Sequence, residues 1–173
     1  MFDPNIHHRR SVRLAGYDYA QSGAYFVTIC SHQRREVFGR VREEIAYQNE
    51  YGQIVGECWM EIPQHFPHVE LDEWIVMPNH LHGILLITTD ALAKGVRPQY
   101  GASKRGSLAT IINRFKGAVT RRVTALRQEQ DRAPVIVWQK GFHDRVIRDA
   151  RELEIKRRYI IENPQRWEKR DTL

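Results

Sequence analysis

The chain has 173 residues, a formal net charge of +6, 42% apolar residues and two cysteines. That length supports one domain with a proper core, and no apolar run reaches the ~20 residues of a membrane span. The opening residues lack the apolar stretch of a secretion signal, and Cys30 and Cys58 read as buried thiols in a reducing compartment, so a cytoplasmic location without a membrane partner is expected; the basic balance favours a polyanion, chiefly nucleic acid.

Residues 1–20 read as a basic arm, with Arg9, Arg10 and Arg13 as candidate phosphate contacts and a solvated tail as the plain alternative. Gly23 to Cys30 is rich in β-branched and aromatic residues, which predicts a central strand, closed off by the polar residues around Gly39. From Gln48 to His65, Tyr51, Val55, Cys58, Trp59 and Ile62 follow helical spacing, with Asn49 or Gln48 as cap. Val69 to Met77 reads as a strand, Pro78-Asn79 as a turn, and His80 to Thr88 as the returning antiparallel strand. Residues 89–106 contain Gly95, Pro98 and Gly101 and read as a flexible loop, long enough to suggest a function or disorder.

Ser107 is a plausible N-cap for a long helix whose apolar face runs from Leu108 through Phe115 to Leu126. Its other face carries Arg114, Lys116, Arg121 and Arg122, which suits either a solvated surface or a phosphate-tracking one. Pro134-Val-Ile-Val-Trp138 begins another strand, continued from Gly141 to Ile147, and a last helix is expected from Asp149 to Glu162, ending at Asn163 before Pro164. The order is βαββαβα, an α+β chain in one domain spanning residues 1–173. It matches the ferredoxin-like split βαββαβ arrangement, an antiparallel sheet with helices on one face, plus an added C-terminal helix that bears a tyrosine.

Chemistry enters with His80 and His82. Residues i and i+2 of a strand leave the same face, so two imidazoles stand side by side just past a turn. That is half a metal site. On the last helix Tyr159 and Asn163 are spaced i, i+4, with Lys156 and Glu152 along the same stripe, while Leu153 and Ile160 would pack the helix on the sheet. Were that helix to face the His pair, the phenol could attack a phosphodiester. Two imidazoles and the Asn163 oxygen could then hold a divalent ion, and nitrogen with hard oxygen donors suits Mg²⁺ or Mn²⁺ better than a closed zinc site. Lys156 would favour the phenolate or hold the phosphate. Protonation of ordinary histidines would then remove activity near and below pH ~6.5. Taken singly, His-x-His is often incidental, a helical Tyr often packs a core edge, and Asn-Pro is common turn chemistry.

Three blocks together resemble the REP-associated tyrosine transposases of the single-tyrosine HUH superfamily. They are Arg9 to Cys30, then Trp74 to Gly83 with His80-Leu81-His82 as the HUH motif, then Trp138 to Arg148 leading into Tyr159-Ile-Ile-Glu-Asn-Pro164. The blocks fall in the family's order and span nearly the whole chain. The resemblance implies His80 and His82 as metal ligands, Asn163 as the polar third ligand and Tyr159 as the nucleophile. It further implies cutting and rejoining of single-stranded DNA near repeated palindromic hairpins through a 5′-phosphotyrosine link. For Lys156 the resemblance implies no role. Two other readings stay open, a catalytically silent hairpin-binding module and a His–metal phosphohydrolase using activated water. Monomer and homodimer are both open, as is whether the tyrosine meets its own His pair or a partner's.

Overall fold

The computed structural model describes residues 22–88 and 107–171. The arm at 1–20 with Arg9, Arg10 and Arg13, and the loop at 89–106, lie outside the described residues. Strand β1 (Gly23–Cys30) is central, followed by a short hairpin of β2 (Gly39–Arg42) and β3 (Ile45–Gln48). Helices α1 (Glu50–Met60) and α2 (Ile62–His65) lead into the long hairpin of β4 (Val69–Met77) and β5 (His80–Ile87). Helix α3 (Leu108–Glu129), strand β6 (His143–Ile147) and helices α4 (Ala150–Ile161) and α5 (Asn163–Asp171) complete the chain. No helix among the described residues is long and apolar enough to cross a membrane.

The main sheet runs β4-β5-β1-β6 with every neighbour antiparallel. This is the strand order of the ferredoxin-like split βαββαβ core. Side-chain alternation along β1 and β5 divides the molecule. Tyr25, Val27, Ile29, Leu81 and Leu85 point to one side, where they join Val55 and Trp59 of α1 and Ile111, Phe115 and Val119 of α3 in the larger core. Trp59 meets Phe115 edge-on at 5.2 Å. Phe26, Ile84 and Ile147 point to the other side and bury Ile160 of α4, with Leu153 and Tyr159 packed beside it. The added helix therefore covers the sheet face that α1 and α3 leave open. A bidentate ion pair also ties it down, with Arg157 donating to Asp72 at 2.8 and 2.6 Å. Asp72 lies at the irregularity between Leu71 and Trp74 with its side chain 8% exposed, and its charge is met by the guanidinium and by the Glu73 N–H, which donates at 2.7 Å.

Four segments differ from expectation. The helix from Gln48 to His65 is two pieces, because Pro63 supplies no N–H to continue the α1 ladder and instead starts α2. The polar residues after Gly39 form a strand pair, turning at Glu43 and Glu44 with φ of 52° and 60°. Residues 134–138 make only an isolated bridge, Trp138 with Ser31, and the paired strand begins at His143. Lys116 fixes the bend between them by donating to the carbonyls of Gln139 and Gly141 at 2.6 and 2.8 Å. Finally, Pro164 does not end the helical region. It lies in the first turn of α5, where a missing N–H costs nothing.

Candidate active site

Register assembles the site from β1 and β5. His82 lies opposite Thr28, and His80 opposite Cys30. All four side chains leave the face covered by α4. The imidazoles are neighbours, with ring centroids 4.4 Å apart. Each ring is held through Nδ1. Thr28 Oγ1 lies 2.8 Å from Nδ1 of His82, and Asn79 Oδ1 lies 2.7 Å from Nδ1 of His80. Phe26 stacks on His82 at 5.2 Å. With His82 only 5% exposed, burial above all, then the charge of His80, pushes its pKa down to about 3; Lys156 adds to the fall and a backbone hydrogen bond at Val27 opposes it. Burial thus favours the neutral imidazole of His82.

Asp149 caps α4 by accepting from the Glu152 N–H, which starts the helix so that Tyr159 comes over the pair. The Tyr159 ring is 5.2 Å from His82 and 6.0 Å from Phe26. Both halves come from one chain. The chain bends at Glu162, and α5 brings Asn163, Arg166 and Trp167 to the same place. Trp167 lies 5.8 Å from His80, and the Arg166 guanidinium 5.3 Å from the Tyr159 ring. A cavity of about 280 Å³ results, lined by His80, His82, Tyr159 and Asn163 together with Thr28, Cys30, Arg34, His143, Arg166 and Trp167.

Lys156 stands beside this cavity, its Nζ 4.7 Å from the Phe26 ring centroid and 5.9 Å from that of Tyr159. Burial first, and Arg145 second, lower its pKa, and Glu152 works against them. Glu152 itself is spent at the helix start, accepting from Arg145 and from the Arg148 N–H at 2.6 and 3.1 Å.

The basic residues of α3 do not join the cavity. Arg114, Lys116, Arg121 and Arg122 belong to the helix on the opposite sheet face. Lys116 is engaged by two carbonyls, Arg122 donates to both Glu61 oxygens at 2.7 Å, and Arg114 lies over Phe66. Conversely, sequence patterns gave no hint of Thr28, Arg34, His143, Arg166 or Trp167. Thr28 and His143 become visible only through register, Thr28 lying opposite His82 of β5 on one side and His143 of β6 on the other.

The nitrogen and amide donors lining the cavity are the imidazoles of His80, His82 and His143 and the Asn163 side chain. Cys30 also lines it, but burial raises its thiol above the ordinary value, which disfavours the thiolate that a soft metal would need. Among the described residues no three His, Cys, Asp or Glu side chains cluster as a metal site.

A Haemophilus influenzae protein, itself uncharacterized, is 36% identical over 176 residues, covering 96% of this chain and 94% of its own. The chain belongs to that protein's family. No family model matches the chain. Among solved structures, a REP-associated tyrosine transposase bound to a REP hairpin superposes with a TM-score of 0.60 at 17% identity, over 89% of this chain and 73% of that one. The fold is therefore that of a REP-associated tyrosine transposase.

Proposed function

We propose that the chain is a tyrosine transposase that cuts and rejoins single-stranded DNA beside hairpins. One observation carries this reading. Tyr159, His80, His82 and Asn163 line a single cavity within one chain, on a fold shared with a protein that was solved bound to a REP hairpin.

The Tyr159 oxygen attacks the scissile phosphorus as the bond from phosphorus to the 3′ oxygen breaks. The phenol proton is lost and the departing 3′ oxygen gains one, leaving a 5′-phosphotyrosine and a free 3′-hydroxyl. Attack by a 3′-hydroxyl on that ester runs the step backwards and joins strands. His80, His82 and the Asn163 oxygen fit a divalent ion, Mg²⁺ or Mn²⁺, which when bound would polarise a non-bridging phosphate oxygen. Thr28 and Asn79, by occupying Nδ1, orient the two rings for ligation through Nε2. Lys156 and Arg166 place positive charge at the tyrosine, where the pentacoordinate phosphate gathers negative charge. Trp167 covers the cavity beside His80, which limits water that would otherwise hydrolyse the ester.

The test is a labelled hairpin with a single-stranded flank, incubated with Mn²⁺. A covalent protein–DNA adduct should form and vanish in Tyr159→Phe. Binding without an adduct would leave a silent binding module, and cleavage without an adduct a water-using phosphohydrolase.

A further inference from the structure

The cavity does not end at Tyr159. A second groove, of about 410 Å³, runs along the outer side of α4 and is lined by Arg151, Glu154, Ile155, Arg158, Tyr159 and Arg166. The two spaces share Tyr159 and Arg166, so the nucleophile stands at their junction. Arg151, Ile155 and Arg158 are spaced i, i+4 and i+7 and form one stripe of the helix. All three are exposed, whereas Leu153 and Ile160 on the inner stripe pack onto the sheet. Three guanidiniums meet one carboxylate here, and Glu154 leans away toward Arg157 at 3.8 Å. Arg166 shares its charge with Glu162 at 2.9 Å. Ile155, 56% exposed, gives the groove an apolar floor.

An apolar floor edged by guanidiniums suits a flexible polyanion that also carries flat apolar rings. We infer that this groove is the track for the single strand next to the scissile phosphate, with Arg151 and Arg158 taking successive phosphates and Ile155 meeting a base or sugar. The inference rests on the nuclease reading above, because it takes Tyr159 as the point where the strand passes from groove to cavity. It also relocates the nucleic-acid face. The arginines of α4 and α5 lie beside the tyrosine, and those of α3 lie across the sheet.

Neither Arg151 nor Arg158 belongs to the cavity of the His pair, so the double variant Arg151→Ala/Arg158→Ala tests the groove by itself. Binding is measured by fluorescence anisotropy on a hairpin with a single-stranded flank and on the same hairpin without it, across a salt series. Each single-strand phosphate contact contributes about 0.7 to the slope of log K against log salt. Loss of two contacts should make the slope shallower by about 1.4 and weaken the flanked hairpin about 25-fold at ~0.1 M salt. The flankless hairpin should bind as before, and Arg151→Lys/Arg158→Lys should restore most of the loss. Unchanged affinity and slope would overturn the inference, as would equal losses on both hairpins. A double variant that sediments differently from the wild type, with the loss following subunit dissociation, would also overturn it, since the groove would then seat a second copy. Adduct formation is scored separately. A wild type that binds through the groove yet forms no adduct defeats the nuclease reading alone, and a variant with full binding defeats the groove alone.

Discussion

Gly83 follows the second histidine, and its substitution probes how tightly that strand is seated. Gly83 faces α1, and a Cβ there would overlap Cζ2 of the Trp59 indole and sit 3.0 Å from Cε2 and Cη2. Trp59 is fully buried and cannot swing aside, because Phe115 meets its ring at 5.2 Å. Gly83→Ala should therefore overpack the core by about 1–3 kcal/mol, offset by the ~0.5–1 kcal/mol gained when a strand glycine is replaced. A net loss of about 1–2 kcal/mol in a chain of this size lowers the thermal midpoint by about 2–8 °C.

The same geometry supplies the control. Trp59 Nε1 is buried without a hydrogen-bond partner among the described residues, so Trp59→Phe breaks no bond while making room. That single change still costs stability through the space it leaves. Combined with Gly83→Ala the two losses should fall short of their sum by about 1 kcal/mol or more, beyond the ~0.5 kcal/mol scatter of independent sites. Urea unfolding followed by circular dichroism on the four proteins measures this. A neutral Gly83→Ala, or strictly additive losses, would refute the reasoning.

Thr28→Val removes the partner of His82 Nδ1 at nearly constant volume; Mn²⁺ affinity, read by titration calorimetry, should drop about 10–100-fold with the fold retained. An unchanged affinity would mean that the ring needs no such support. Lys156→Ala should slow adduct formation about tenfold, the effect of ~1.4 kcal/mol lost from the transition state, while hairpin binding is kept; a wild-type rate would remove its assigned role. Asp72→Asn should destabilise α4. The hydrogen bonds from Arg157 come first among the causes holding the Asp72 carboxyl below its ordinary value. The clamp is therefore fully present above the unfolded carboxyl value of ~3.9 and is lost as pH falls through the lower folded value. The stability gap between wild type and Asp72→Asn should be open at pH 7 and close toward pH 3, and a gap of constant size would show that Asp72 does not act through its charge.

Much of this arrangement is legible in the sequence where a local rule acts alone. The two-residue period of β5 is enough to put His80 and His82 on one face, and Asn49, Ser107 and Asp149 mark the starts of α1, α3 and α4 by side chains that accept backbone N–H groups. Other features hide because local signals point elsewhere. Glu43-Glu44 carries none of the Asn or Gly expected of a turn with two positive φ values, so the β2–β3 hairpin is silent; contact with α5, including the Glu44 N–H bond to Glu168 at 3.0 Å, compensates for that strain. The periodicity of α3 separates its basic stripe from its apolar one but says nothing of which sheet face it covers. Only strand order decides that its arginines and the His pair lie on opposite sides.

The bend between α4 and α5 is where local reading and tertiary geometry part most clearly. Tyr159, Asn163, Arg166 and Trp167 follow helical spacing, so a straight helix would also carry them on one face. It would, however, set Trp167 some 12 Å beyond Tyr159 along the axis, at about 1.5 Å per residue. The two histidines that these rings meet are only 4.4 Å apart. Tyr159 meets His82 and Trp167 meets His80 across an interruption of the helix at Glu162, with Pro164 set in the new first turn. Asn163 sits in that turn, buried and lining the cavity together with Tyr159 and Trp167. The Asn-Pro pair that reads as a helix terminus thus opens a second helix, whose Asn163, Arg166 and Trp167 line the cavity with Tyr159 of the first.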